Sequence, residues 1–423
     1  MESKCSNGYG GPLCAVCGKG YYHLLNHCRK CPETLWFIIQ LCGIAIVIAI
    51  LTVSIVLARK RRCPSGRKMS DTILARLKIV IGFYQVTSST LNTFSYVEWP
   101  GALLTVVQYA NIVQLNLLQI IPLQCFVDNV TMNAYTRFLV IMGFNISVIL
   151  LAMLVYQLRK LVLINNTSLS RDELDEALSY SKTQIYRVVC LVIFVAYPWT
   201  CEAILHLLSC QEICSTGQRD SCQYFLRADF TVQCFTSQYN KYIILAYTSL
   251  AVFIALPAVT LFLLWKYHYK KIFPEGRTKS YHGNEISIGL SFLYENYSPR
   301  CWFWELIEVS RRVWLTSTIF LLEAETRSHL GVAAIASGIY CILVAYYKPI
   351  SDKLEHWLQL ISLLATFVTM NVGMLLKIPA EEAYSNGLVQ LRDSMFVSVV
   401  LVAVNVTVVG LIVGKQNYSI LNA

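Results

Sequence analysis

From Leu35 to Ala58 the chain carries no charged side chain, and further apolar blocks of similar length follow it. About twenty apolar residues in a helix cross the ~30 Å of hydrocarbon in a bilayer. A helix is also the simplest backbone that satisfies its own hydrogen bonds in lipid. These blocks restrict the chain to an all-α, polytopic membrane fold whose first partner is the lipid bilayer. Composition agrees: 14% of the 423 residues are charged and 56% are hydrophobic. Soluble domains carry roughly 25% charged residues, so a soluble enzyme, a disordered chain and a low-complexity scaffold are excluded. The net charge of +10 sits in short loops between apolar blocks, where it orients spans, so no nucleic-acid partner is expected.

The blocks predict nine spans: Leu35 to Ala58, about Ile73 to Tyr96, Phe138 to Leu158, Tyr186 to Leu208, Tyr242 to Trp265, Trp304 to Leu322, Leu330 to Tyr347, Leu354 to Leu376 and Ser394 to Val413. Residues 416–423 form a tail. Lys78, near the inner end of the second span, is expected to snorkel. Residues 101–123 are long enough to cross, but Gln108, Asn111, Asn116 and Gln119 share one arc. A crossing there would invert every later loop and leave a cysteine-rich loop in the reducing cytosol. The segment is therefore expected to lie on the interface or re-enter. With nine spans, 19 Lys and Arg fall on the inside and 9 on the outside, which predicts N-out and C-in. Residues 165–185 read as a cytosolic helix opened by a Ser170–Glu173 capping box. Asn129-Val-Thr131 lies outside and is the one sequon expected to carry glycan. Asn165, Asn166, Asn296 and Asn417 start sequons on the inside.

The cysteines are informative by position. Residues 1–34 hold Cys5, Cys14, Cys17, Cys28 and Cys31, in a stretch too short to build a core. Cys14-x-x-Cys17 and Cys28-x-x-Cys31 have zinc-ribbon-like spacing. The basic cluster Arg59, Lys60, Arg61, Arg62 after the first span places residues 1–34 outside, where thiols oxidise, so disulfides are preferred to metal. Loop 209–240 carries Cys210, Cys214, Cys222 and Cys234, which are expected to form two bonds. That leaves Cys125 and the five cysteines of residues 1–34, among which several pairings stay open.

The spacing Cys5-x8-Cys14-x2-Cys17-x10-Cys28, with Gly8-Tyr9-x-Gly11 and Gly20-Tyr21-Tyr22, resembles the second half of a laminin-type EGF module. The resemblance implies Cys5–Cys14 and Cys17–Cys28, which leaves Cys31 and Cys125 for each other, with loop-internal alternatives open. The first half of such a module is missing, which is the expectation for a fragment of a longer ectodomain protein.

Ionisable groups inside spans are expensive and are functional candidates. Glu305, Glu308, Arg311 and Arg312 crowd the entrance of the sixth span among Trp302, Trp304 and Trp314. They suit a cation vestibule or gate, or else an interfacial ion pair with snorkelling arginines. Glu202 and His206, four apart in the fourth span, suit a proton or cation site, or a structural hydrogen bond. Gln85, with Ser88, Ser89 and Asn92, marks an inward stripe on the second span, for which interhelical bonding is the plain account. No Walker loop, glycine-rich nucleotide fingerprint, His-Glu-x-x-His or nucleophile elbow is present in the sequence. Neither an enzyme nor a cofactor is expected.

Cys210, then Tyr224-Phe225-Leu226-Arg227-Ala228-Asp229 and Cys234, lead into an aromatic span with Pro257. Phe292-Leu293-Tyr294-Glu295-Asn296-Tyr297, Trp302-Phe303-Trp304-Glu305, Arg311-Arg312 and Tyr347-Lys348-Pro349 follow. Together they resemble the C-terminal membrane region of very large cysteine-rich surface proteins of protists, algae and some marine invertebrates, which carry EGF-like or ephrin-receptor-like repeats before the bundle. The similarity covers most of the chain. That bundle is sometimes likened to TRP-type channels, although no TRP filter or TRP helix stands in this sequence. The resemblance implies a plasma-membrane, multi-pass surface protein. Three roles follow: a receptor or sensor for an unidentified extracellular ligand or ion, a TRP-like cation channel, or an adhesion anchor. Homo-oligomerisation stays open. A polar lumen at Gln85, Glu202 and Glu305 would favour the channel. A dry, self-paired interior would favour the anchor, and a solvated outer cavity beside residues 101–123 a receptor.

Overall fold

A computed structural model of the chain describes residues 5–11, 14, 16–18, 20–24 and 27–31, scattered positions from 33 to 53, then 69–94, 97, 99–113, 125, 133–165, 170–214, 222–266, 290–317, 327–376 and 399–408. The first expected span and Asn129 fall almost wholly outside the described residues, and the tail 416–423 does so entirely.

Nine helices are described: α1 Met69–Thr93, α2 Gly101–Val113, α3 Ala134–Ile164, α4 Arg171–His206, α5 Ser237–Leu264, α6 Trp304–Thr316, α7 Arg327–Tyr347, α8 Lys353–Leu376 and α9 Val399–Val408. Five of them are long and apolar enough to cross a membrane, namely α3, α4, α5, α7 from Leu330 onward, and α8. Segments α1 and α6, expected as spans, are more polar than these.

Their surroundings explain why. The apolar windows of α3 and α5 are each only 11% buried. Leu150, Leu151, Val252 and Ile254 point outward, as lipid-facing side chains must when the solvent is hydrocarbon. In contrast, α1 packs against α2, α4, α6 and α8, and every residue from Phe83 to Leu91 is buried. A helix enclosed by others can carry Gln85, Thr87, Ser88, Ser89 and Thr90, provided neighbours satisfy them.

The expected cytosolic helix and the fourth span are one continuous helix, α4. Its capping box forms: Ser170 Oγ accepts from Glu173 N at 3.4 Å, and Glu173 Oε2 accepts from Ser170 N at 2.9 Å. No breaker stands between Ser170 and the apolar part, so the helix runs through. Pro198 and Pro257 both lie inside helices. Pro257 has no N–H for the carbonyl four residues back, and Tyr197 donates its hydroxyl to that carbonyl, Phe253 O, at 2.7 Å.

Helix α2 is buried at Leu103 and Val107. It clusters with Val86, Phe94, Trp99, Leu330, Met370 and Leu401, so it enters the bundle rather than lying on it. Trp99 sits so close to Gly373 of α8 that a Cβ there would meet the indole at 2.6 Å.

The chain is not wholly helical. Strands β1 Tyr9–Gly10 and β2 Val16–Cys17 pair antiparallel, as do β3 Tyr21–Leu24 and β4 His27–Lys30. Loop 209–240 folds as a three-stranded antiparallel sheet, β5 Cys210–Cys214, β6 Cys222–Leu226 and β7 Asp229–Gln233. Its alternation is buried on one face only, at Leu226 and Val232, which pack on Tyr135, Phe138, Ile204 and Leu207 at the ends of α3 and α4. Asp229 Oδ2 accepts from Ala134 N at 2.7 Å, a carboxylate at the positive end of α3.

A candidate functional site along a buried polar helix

The bonded cysteine pairs are Cys5–Cys14, Cys17–Cys28, Cys31–Cys125, Cys210–Cys234 and Cys214–Cys222. All four cysteines of the zinc-like spacing are therefore engaged. Glu212, Cys214 and Cys222 lie close enough together to hold a metal, but the bond between the two cysteines removes their thiolates. Strand β2 lies against β7, and Cys31 joins the segment that follows α2. The disulfides thus gather at one end of the bundle.

The polar groups of α1 fall on one face. Lys78, Gly82, Gln85, Ser89 and Asn92 follow at spacings of four and three, the repeat that returns to the same side of a helix.

At the end away from the disulfides, Lys78 Nζ lies 2.6 Å from Glu305 Oε2. The Tyr297 hydroxyl donates to the same oxygen at 2.7 Å. Lys78 therefore turns inward to a partner rather than snorkelling. Burial, followed by the negative charge of Glu305, holds the Tyr297 phenol well above its ordinary pKa. Tyr297 is fixed by its backbone: it bridges Ile350, Ser298 N donates to Pro349 O at 2.7 Å, and Ser351 N donates to Asn296 O at 3.1 Å. The turn between α7 and α8 thereby positions the entrance of α6.

One turn along, Gly82 makes room. A Cβ at this position would collide with the guanidinium of Arg312. Arg312 Nε donates to Glu308 Oε1 at 3.0 Å. Arg311 takes the same carboxylate with two bonds, Nη2 at 2.6 Å and Nε at 3.1 Å. Its guanidinium lies 5.0 Å from the Tyr340 ring centroid, a cation–π contact. Glu305, Glu308 and Arg312 are each less than 5% exposed, so these are buried pairs and not an interfacial belt. Removing one member of such a pair costs about 3–5 kcal/mol, because the other charge stays buried.

Further along the face, Gln85 Nε2 donates to Val195 O at 3.0 Å. Its Oε1 has no partner among the described residues. Ser89 donates to Thr316 O at 3.0 Å and also reaches Glu202. Glu202 Oε1 lies 3.3 Å from Arg137 Nη2 and 4.0 Å from His206 Nε2, with Arg227 near His206.

The expected groups are thus brought into one column. Gln85, Glu202 and Glu305 each meet protein. Sequence reasoning missed Arg137, Tyr297 and Gly82 as partners. Arg137 lies sixty-five residues from Glu202, beyond any periodicity. A cavity of about 40 Å³ lies beside Lys78, bounded by Asp71, Arg187 and Glu295. Arg187 Nη2 stands at its edge, 3.0 Å from Glu295 and 3.6 Å from Asp71.

The chain matches no protein-family model, no curated protein and no solved structure.

Proposed function

We propose that the chain is a nine-span, N-out and C-in surface protein of the plasma membrane, and that it works as a receptor or sensor. In this reading it corresponds to the membrane region of the large cysteine-rich surface proteins it resembles, and residues 1–34 form an EGF-like extracellular module. The observation that carries it is the Cys31–Cys125 bond. It ties the N-terminal module covalently to residue 125, on the connection that leaves α2, whose Leu103 and Val107 are fully buried in the bundle. In this reading a ligand held by the module acts on the bundle through that bond. The anchor reading has its own support, since every ion pair on the α1 face is satisfied within the protein. That same pairing argues against a wide path for hydrated cations.

The test applies a Fab against residues 5–31 to protein in nanodiscs and follows deuterium uptake at residues 290–303. Receptor function predicts changed uptake in the native chain, and no change in Cys31→Ser/Cys125→Ser. Unchanged uptake in the native chain refutes the receptor reading and leaves the anchor. Orientation is checked by glycosidase treatment. A mobility shift lost in Asn129→Gln supports N-out; glycan at Asn165 or Asn166 overturns it.

A further inference from the structure

Three buried carboxylates stand along the polar column, and they are held unequally. Glu308 takes three bonds from two arginines, at 2.6, 3.0 and 3.1 Å. Glu305 takes Lys78 at 2.6 Å and the Tyr297 hydroxyl at 2.7 Å. Glu202 meets a single guanidinium, that of Arg137, at 3.3 Å. The Glu202 side chain is 8% exposed, but that of Arg137 is 33% exposed. The loosest charge pair of the column is therefore also the one that water reaches, from the arginine side.

The groups around Glu202 leave it as the acceptor of a proton. Ser89 of α1 gives it a hydrogen bond. His206 of α4 lies 4.0 Å away, and Arg137 of α3 and Arg227, in the turn between β6 and β7, both stand near that imidazole. A charged imidazole there would meet two guanidiniums, a penalty that a neutral carboxyl does not have. Asp229 of β7 is anchored by two N–H donors, Ala134 N on Oδ2 and Thr231 N on Oδ1. From α5, Tyr239 donates its hydroxyl to Leu207 O at 3.0 Å. Arg137 in turn depends on Glu202. It sits in the opening turns of α3, where the helix dipole disfavours a cation, and it is the only charged residue from Ala134 to Asn145. Asn145 makes the next polar tie to α4, donating to Thr200 Oγ1 at 3.0 Å, ~12 Å further along at 1.5 Å per residue.

We propose that the Arg137–Glu202 pair is an acid-released latch between α3 and α4. On acidification the Glu202 carboxylate takes one proton from the medium; one O–H bond forms and no other covalent bond changes. Arg137 loses its counter-charge and turns into water. The start of α3 then loosens against α4 between its ties at Ala134 and Asn145. The neighbouring sheet keeps its shape, held by Cys210–Cys234 and Cys214–Cys222. The inference stands apart from the receptor reading, which rests on Cys31–Cys125.

The test is amide exchange of the full chain in nanodiscs between about pH 8 and 4, a range that spans buried and ordinary carboxyls. Rates are corrected for the intrinsic effect of pH on exchange. In the native chain, amides 137–141 are expected to quicken as the pH falls, by up to about tenfold per pH unit, the slope of a one-proton step. Amides 150–158 of α3 and those of β5 to β7 are expected to stay flat. Glu202→Gln is expected to exchange fast at 137–141 at every pH, with no step. His206→Gln and Asp229→Asn are expected to keep the step. Folding of each variant is checked by gel filtration. A flat native profile at 137–141 overturns the latch, and so does a step that persists in Glu202→Gln. Loss of the step in His206→Gln or Asp229→Asn overturns it in favour of that residue. A step that extends equally through 150–158 overturns it in favour of general unfolding. Should Glu202→Gln not fold, Arg137→Gln decides: a flat, fast profile supports the latch, and a native-like step overturns it.

Discussion

The two ends of the bundle are held by different chemistry. At one end five disulfides and a three-stranded sheet clamp the loops onto α3 and α4. At the other, the turn 290–303 carries no disulfide among the described residues: Leu290, Phe292 and Leu293 pack on Phe194, Leu264 and Leu306, and charge and hydrogen bonds add Arg187 to Glu295 and Asp71, Tyr297 to Glu305, and backbone bonds to Pro349 and from Ser351. Covalent bonds fix a shape whatever the pH or salt. Ion pairs fix one only while both partners stay charged and desolvated. A chain built this way is rigid where it is bonded and adjustable where it is paired.

The largest expected effect breaks the paired end. Glu308→Gln leaves Arg311 and Arg312 buried against a neutral amide, at about 3–5 kcal/mol. A thermal transition in nanodiscs should fall sharply or vanish. A transition within a degree or two of the native value would mean that water reaches these arginines.

The next breaks the bonded end. Cys210→Ser with Cys234→Ser removes a bond that closes a 24-residue separation, worth about 3 kcal/mol on chain-entropy grounds. Loss should be confined to the sheet. Proteolysis within residues 209–240 should accelerate while deuterium uptake at 290–303 stays native. Equal loosening of both ends would erase the distinction drawn above.

The smallest effect sharpens the comparison at a single helix start. The backbone N–H of Ser170, then its hydroxyl, holds the Glu173 carboxyl below its ordinary value of 4.5. A lowered carboxyl contributes stability that is complete above the ordinary value and is lost as the pH falls through the lowered one. Exchange of the amides in the first turn of α4 should therefore quicken on acidification below about pH 4.5, and Glu173→Gln should abolish that dependence.

Much of this organisation was legible in the chain. Long apolar blocks announce lipid-facing helices such as α3 and α5, because a solvent of hydrocarbon permits no polar face. The capping box at Ser170 is read locally and forms locally. The same local reading failed for Lys78, placed at the interface because a lone lysine in a span usually reaches for water. Its partner Glu305 lies 227 residues away, and no pattern of period 3.6 reports such a pairing. Arg137 with Glu202 is the same case. The sheet at loop 209–240 was hidden for a different reason: its strands are five residues long, and the clustered cysteines dominated the reading. The nine-span count and the orientation stay proposals, since α1 and α6 earn their place by being enclosed rather than by being apolar.

Helix α3 has one more consequence. Its 31 residues extend ~46 Å at 1.5 Å per residue, against a hydrocarbon thickness of ~27 Å in the endoplasmic reticulum and ~32–33 Å at the cell surface. Its uncharged stretch, Phe138 to Leu158, is ~31 Å long and is bounded by Arg137 and by Arg159 and Lys160, so it exceeds the thinner bilayer and matches the thicker one. Every ångström of extra bilayer relieves some of that mismatch, at fractions of a kcal/mol each. The length of one helix thus acts as a gauge, setting a downhill slope from thin membranes toward thick ones.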